Sequence, residues 1–261
     1  MSRIAIGLEY DGRSYCGWQS QPAGCGVQDA LELAAAEVAG HRVSIVAAGR
    51  TDTGVHASYQ VAHFDTAAER PATAWVRGVN SHLPHGIAVL WSRTMPDDFH
   101  ARFTVEERGY RYILLNHPVR PGLMAGKVGW HHRPLDEKLM SQAVARLLGR
   151  HDFSAFRAAE CQARSPEKEL REARIRRRED YLVFDFRADG FLHHMVRNII
   201  GALVHIGAGG ADPEWIDELL AHKDRTRAAP TFMPDGLYLS HIRYPSRFEL
   251  PSSGRATWPC E

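Results

Sequence analysis

The sequence predicts an α+β protein made of two copies of one unit, strand–helix–strand–strand–helix–strand, which is the order of a ferredoxin-like split βαβ motif. Two observations carry this prediction. Short stretches with period-two apolar alternation are interleaved with stretches whose apolar residues recur at helical spacing. The whole order then occurs twice along the 261 residues. A content of 44% hydrophobic and 24% charged residues provides for one large core or two smaller ones. The units fall at residues 1–104 and 105–245, joined near Pro96–Val105. No repeat of solenoid or propeller period is present.

In the first unit, Ile4, Ile6, Leu8 and Tyr10 alternate with smaller or polar residues, as in a half-buried strand. Val27, Leu31, Ala34 and Val38 lie at helical spacing, and Gly40 is a suitable helix stop. Val43–Ala48 and Gln60–Asp65 read as strands on either side of the loop Gly49–Ala57. Pro71 suits the first turn of a helix that runs to about Leu83, and Ile87–Trp91 closes the unit as a strand.

The second unit opens with a strand over Tyr110–Leu115 and a helix outlined by Leu135, Leu139, Val144 and Leu147–Leu148. Leu170–Arg176 and Leu182–Phe186 form a hairpin around Arg177-Arg178-Glu179-Asp180. Leu192–Gly207 reads as a helix and Leu237–Tyr244 as the last strand. Residues 246–261, with Pro251-Ser252-Ser253-Gly254, read as a loose tail.

Lys and Arg total 32 against 31 Asp and Glu, so any affinity for nucleic acid must be local. The first residues lack the apolar run of a secretion signal, and the most apolar stretch, Met195–Ile206, is broken by Arg197, Asn198 and His205. Neither export nor membrane insertion is expected. Cys16, Cys25, Cys161 and Cys260 form no closely spaced pair, which fits a reduced, cytoplasmic protein.

The loop Gly49-Arg50-Thr51-Asp52-Thr53-Gly54-Val55-His56-Ala57 carries the chemistry. Glycines near its ends permit a tight path, and Arg50 and Asp52 set opposite charges two residues apart. A carboxylate beside a guanidinium can act as nucleophile or base. The same spacing also fits a surface turn with an ion pair, and spacing does not decide between them.

These nine residues resemble the signature of the tRNA pseudouridine synthase A family. Further blocks match in family order: Tyr10-Asp11-Gly12-Arg13-Ser14-Tyr15-Cys16-Gly17-Trp18-Gln19, Phe99-His100-Ala101-Arg102-Phe103, Tyr110-Arg111-Tyr112, Asp152-Phe153-Ser154-Ala155-Phe156 and Phe191-Leu192-His193-His194-Met195-Val196-Arg197-Asn198. The resemblance spans about residues 3–244 and implies two ferredoxin-like halves. Their antiparallel sheets would join side by side, with helices on one face and a basic active-site cleft between the halves. It also implies a homodimer that isomerises uridines 38, 39 and 40 of the tRNA anticodon stem-loop to pseudouridine.

By that resemblance Asp52 is the catalytic aspartate, Tyr110 the ring that stacks on the target base, and Arg197 the partner of the aspartate. Pattern alone does not separate Tyr110 from Tyr112, two residues on along the same strand face. Arg197 falls at the edge of a buried stripe of Val196, Ile199, Ile200 and Leu203. Arg50 is expected to meet a phosphate or to hold the loop.

The reaction is an isomerisation, so no cofactor is expected. His56 and the adjacent pairs His131-His132 and His193-His194 could suggest a metal, but none is expected, because adjacent histidines do not share a helix or strand face and no convergent acidic or cysteine set accompanies them. Residues 164–178 hold seven basic and three acidic residues, a candidate RNA-backbone contact. Phe232-Met233 stand where the family is expected to have smaller residues. Two rivals remain: a non-catalytic RNA-binding protein on the same scaffold, and a glycoside hydrolase, which would need a second carboxylate such as Glu9 or Asp11 beside Asp52.

Overall fold

The computed structural model describes residues Met1–Pro251. In chain order its strands are β1 (Ser2–Tyr10), β2 (Val46–Ala47), β3 (His56–Thr66), β4 (Ile87–Met95), β5 (Glu107–Asn116), β6 (Gly129–His131), β7 (Gly149–Asp152), β8 (Glu167–Arg178), β9 (Tyr181–Ala188) and β10 (Leu237–Arg243). The helices are α1 (Val27–Ala39), α2 (Val79–His82), α3 (Glu137–Ala145), α4 (Met195–Gly207) and α5 (Trp215–His222). The chain divides into two compact units, Met1–Glu107 with the chain from Tyr238, and Arg108–Leu237.

In the first unit β1 lies between β3 and β4 and is antiparallel to both. β2 adds antiparallel to one end of β3, at Val46↔His63, and β10 adds parallel to the other, at Tyr238↔His56. β1 is buried on both faces, not on one: Ala5 is as buried as Ile4 and Ile6, and the Trp91 indole lies against Gly7. A Cβ at Gly7 would sit 2.1 Å from that ring, so the small residues of the alternation mark a second packed face. α1 turns Val27, Leu31 and Ala34 inward and stops at Gly40, which takes the left-handed conformation at φ 74°.

Only two residues of the expected 43–48 strand pair in the sheet. The Ile45 N–H instead donates to Glu32 Oε1 (2.8 Å), and the Ile45 carbonyl accepts from Gln28 Nε2 (3.2 Å). Both backbone groups are thus claimed by side chains of α1. The helix after Pro71 forms, but Ala74–Gly78 is π-helical before it continues as α2.

The second unit has the order β5-β9-β8-β7, all antiparallel, with β6 parallel to β5 at Leu114↔Gly129. The β8–β9 hairpin turns on Glu179-Asp180, with Glu179 at φ 54°. Asp136 caps α3 by accepting from the Lys138 and Leu139 N–H groups, and its own N–H donates to Gly207 O at the end of α4 (2.8 Å). α4 buries Val196, Ile199, Ile200 and Leu203 as its stripe requires, and starts at Met195 because His194 is left-handed at φ 61°.

That kink overturns one premise about the histidines. The His193 and His194 rings lie 4.0 Å apart, since the pair sits outside regular structure and the alternation rule does not govern it.

Two further expectations change. Cys16 and Cys25 form a disulfide, with Cα atoms 5.4 Å apart, so the reduced reading fails for this pair. The Cys16 N–H donates to Cys25 O (2.9 Å), which closes the base of a loop whose ends are distant in sequence spacing but adjacent in space. Residues 246–251 are anchored at two points: Phe248 is buried against Phe99, and the Tyr59 hydroxyl donates to Pro251 O. The rest of the expected tail, 252–261, lies outside the described residues, as does Cys260. Among the described residues no helix is long and apolar enough to cross a membrane.

Candidate active site

Asp52 sits at the start of a turn closed by Val55 N–H to Asp52 O (3.1 Å), with Gly54 at φ 78°. Both arms of this turn are fixed from behind. On the entrance side, the buried Gln60 amide brackets Gly49: Nε2 donates to Gly49 O (2.6 Å) and Oε1 accepts from Gly49 N–H (3.3 Å). Thr51 is buried, its hydroxyl paired with the Tyr10 phenol (2.8 Å) and its carbonyl with Trp18 N–H (3.0 Å). Burial pushes the Tyr10 phenol well above the usual range, an effect its hydrogen bonds to Thr51 and Gln60 reduce, so it stays neutral. On the exit side, His56 Nδ1 accepts from Gly12 N–H (3.1 Å).

The glycines here are required by close approach. A Cβ at Gly12 would lie 2.0 Å from Val55 O, and one at Gly17 would lie 2.7 Å from Thr51 O at a backbone φ of 97°. Asp52 is partly exposed above this scaffold and Arg50 is exposed at its entrance. The turn therefore holds a carboxylate at a fixed position on packed backbone, which suits a group that must meet a reacting atom.

In the second unit, Tyr110 is buried on β5 with its ring edge-to-face against Phe191 (5.0 Å). Tyr112, on the same strand face, is built into the core. Its hydroxyl donates to Met233 O (3.0 Å), its ring meets Phe184 and Phe232, and a Cβ at Gly129 would strike its hydroxyl at 2.1 Å. Arg197 is half-buried on α4. Its Nε donates to Phe232 O (2.9 Å), and its own carbonyl accepts the Phe232 N–H (3.2 Å). The Phe232-Met233 segment thus supports both Arg197 and Tyr112 through its backbone carbonyls.

The model for the family described as tRNA pseudouridine synthase matches residues 7–104 and 143–245. A protein named tRNA pseudouridine synthase A from Thiobacillus denitrificans is 69% identical over 259 residues, covering 99% of each chain. Proteins of the same name from Chromobacterium violaceum and Dechloromonas aromatica are 59% and 58% identical, covering 96% and 95% of each chain. The chain belongs to the tRNA pseudouridine synthase family.

In this tRNA pseudouridine synthase the residues that hold the Asp52 turn are more numerous than the sequence suggests. Gln60, Trp18, Gly12 and Gly17 lie outside the loop, on β3 and on the segment that follows β1, and the part played by His56, inside the loop, depends on Gly12. The blocks that contain Gly12, Gly17 and Trp18 were the available signal.

The basic hairpin also divides on inspection. Arg177 is structural, its guanidinium donating to Leu135 O (2.9 Å) beside Glu137 (3.6 Å). Arg176 shares Asp185 with Arg111, each at 2.7 Å. Arg174 is largely exposed beside Glu172, and Arg178 is exposed at the hairpin end. A tRNA contact on this hairpin would therefore rest on Arg174 and Arg178, not on Arg177.

Proposed function

We propose that this chain isomerises uridine to pseudouridine at positions 38, 39 and 40 of the tRNA anticodon stem-loop. It does so as a cytoplasmic homodimer with Asp52 as the essential carboxylate. The observation that carries the reading is the Asp52 turn itself, pinned at Gly49, Thr51 and His56 in a chain of the tRNA pseudouridine synthase family.

The chemistry breaks the C1′–N1 glycosidic bond, turns the uracil and forms a C1′–C5 bond. The C5 proton leaves and a proton is taken up at N1, so composition is unchanged and no redox or energy source is consumed. A carboxylate serves this reaction by attacking C1′ or by removing the C2′ proton toward a glycal. Tyr110 is assigned to stack on the extruded base, which offsets part of the unstacking cost. Arg197 is assigned to the carboxylate and Arg50 to a flanking phosphate. The reading takes residues 1–104 and 105–245 as two ferredoxin-like halves whose cleft receives the stem-loop, although β10, counted in the second half by sequence, groups with the first unit through its pairing to β3. In support, the strand order β4-β1-β3-β2 of the first unit is that of the motif. That the Tyr112 hydroxyl and ring are committed to the core supports the choice of Tyr110.

The test is a pseudouridine map of unmodified tRNA transcripts incubated, without added cofactor, with wild type and Asp52→Ala. Product in the anticodon arm with wild type alone, and tRNA binding by both, is the expected result. A folded wild type that binds tRNA and forms no product would favour the non-catalytic rival.

A further inference from the structure

We infer that His56 is a positioning residue for Asp52: its Nδ1, as acceptor for the Gly12 N–H, staples the exit of the catalytic turn to the loop after β1. The inference rests on the function proposed above and adds a residue to it.

Four observations converge on this staple. His56 is 1% exposed, at the first residue of β3, four residues after Asp52. Its Nδ1 takes the Gly12 N–H at 3.1 Å. Gly12 itself presses on the turn, since a Cβ there would lie 2.0 Å from Val55 O, so the bond and the contact act on one spot. Finally, the imidazole stacks on Tyr238 of β10 at 4.6 Å and 18°, which fixes the ring plane and so the direction of the Nδ1 lone pair.

The chemistry of one nitrogen defines the state required. To accept from Gly12, Nδ1 must be unprotonated, and the ring proton then sits on Nε2. Asp11 Oδ1 lies 3.2 Å from the same Nδ1, and an ion pair there would need the proton on Nδ1. The two arrangements exclude each other. Arg13, which holds the Asp11 carboxylate through Nη2 at 2.7 Å, gives that carboxylate a cation and leaves Nδ1 to Gly12. The buried Gly12 N–H, in turn, is a donor whose loss of partner would loosen the turn.

The staple and the Trp18–Thr51 bond make an opposed pair. One holds the residue before Asp52 and the other the arm after Val55, and both reach from the same segment, 12–18. The two bonds end on the His56 ring and on the Thr51 carbonyl. Their action is on where the Asp52 carboxylate stands, and displacement of a reacting group by about 1 Å is enough to slow a step by roughly 100-fold.

The experiment compares His56→Phe and His56→Asn, with Asp52→Asn as the inactive control, in single-turnover pseudouridine formation and in tRNA binding. Phe keeps a ring against Tyr238 and fills the site without an acceptor. Asn sets Oδ1 where Nδ1 stands. The expected result is a rate about 100-fold lower for His56→Phe with tRNA affinity changed less than about threefold, and recovery to within about tenfold of wild type for His56→Asn. Equal loss in both folded variants, a wild-type rate in His56→Phe, or a loss confined to tRNA affinity would overturn the inference. If His56→Phe does not fold, recovery by His56→Asn relative to His56→Ala decides the same question. A wild type that forms no pseudouridine, or an active Asp52→Asn, overturns the proposed function instead.

Discussion

Replacing Gln60 by Leu tests whether the Asp52 turn is held by its backbone bracket. The side chain is fully buried, makes two bonds to Gly49 and one to the Tyr10 hydroxyl, and accepts a further bond from Val61 N–H on Oε1 at 3.2 Å. Leu is of similar size, so little cavity forms and the loss is polar. Each neutral hydrogen bond contributes about 1 kcal/mol net, and a half-buried carbonyl or N–H left unpaired costs about 1–3 kcal/mol. Apolar burial of the new side chain offsets part of this, which leaves roughly 2–4 kcal/mol of destabilisation. In a chain of this size that lowers the melting temperature by roughly 4–16 °C. Thermal unfolding followed by circular dichroism measures it, and single-turnover pseudouridine formation at a temperature where the variant is folded reads the turn. A larger drop in rate than in tRNA affinity is expected. A variant that melts within about 1 °C of wild type and turns over unchanged would refute the bracket.

Four other perturbations have defined outcomes. His63 is buried, and burial first, then His100 and Arg3, push its pKa down to about 4 while its Nδ1 accepts from Ala101 N–H (3.2 Å). Because the folded value lies below the unfolded one near 6.5, the unfolded chain binds more protons between them. The contribution to stability is therefore complete above pH 6.5 and is lost as pH falls toward 4. Urea midpoints for wild type should fall over that window relative to His63→Asn, and parallel profiles would refute this. Tyr112→Phe should lose about 1 kcal/mol in urea unfolding by freeing the Met233 carbonyl. Tyr110→Phe should instead keep tRNA affinity and lose rate by about tenfold or more; full activity there would exclude a role for the hydroxyl. Charge reversal at Arg174 and Arg178 should raise the KM for tRNA and reduce its salt dependence, and an unchanged KM would remove the hairpin from the contact surface.

Local pattern was enough for most elements. The helix of Val27, Leu31 and Ala34, its stop at Gly40, and the hairpin around Glu179-Asp180 are all set by neighbours in sequence. What escaped was decided at long range. The 43–45 stretch has a strand's composition, yet Glu32 and Gln28 take the Ile45 backbone groups. β6 and β7 are strands of only three and four residues, too short to show an apolar alternation, and form by pairing with β5 and β8. α5 has Ile216 and Leu219 at helical spacing, a local signal of the same kind as in α1. The same division holds at the site. Asp52 is legible as a candidate from the nine-residue loop through its resemblance to a family, whereas the contacts that Gln60, Gly12 and Gly17 make with its turn exist only in the folded backbone. The disulfide escaped for a related reason, because nothing in the spacing of Cys16 and Cys25 announces that the loop ends meet.

That closed loop has a use in engineering. Residues 21–24 at its tip are exposed, and a side chain at Gly24 would meet nothing within 4 Å. The base, by contrast, is sealed by the Cys16–Cys25 bond and the Cys16–Cys25 backbone contact, immediately before Gly17 and Trp18 reach the Asp52 turn. A peptide or fluorophore grafted at Pro22–Gly24 is therefore mechanically insulated from Asp52. The tip is a place where the chain accepts cargo and the base is where that freedom ends.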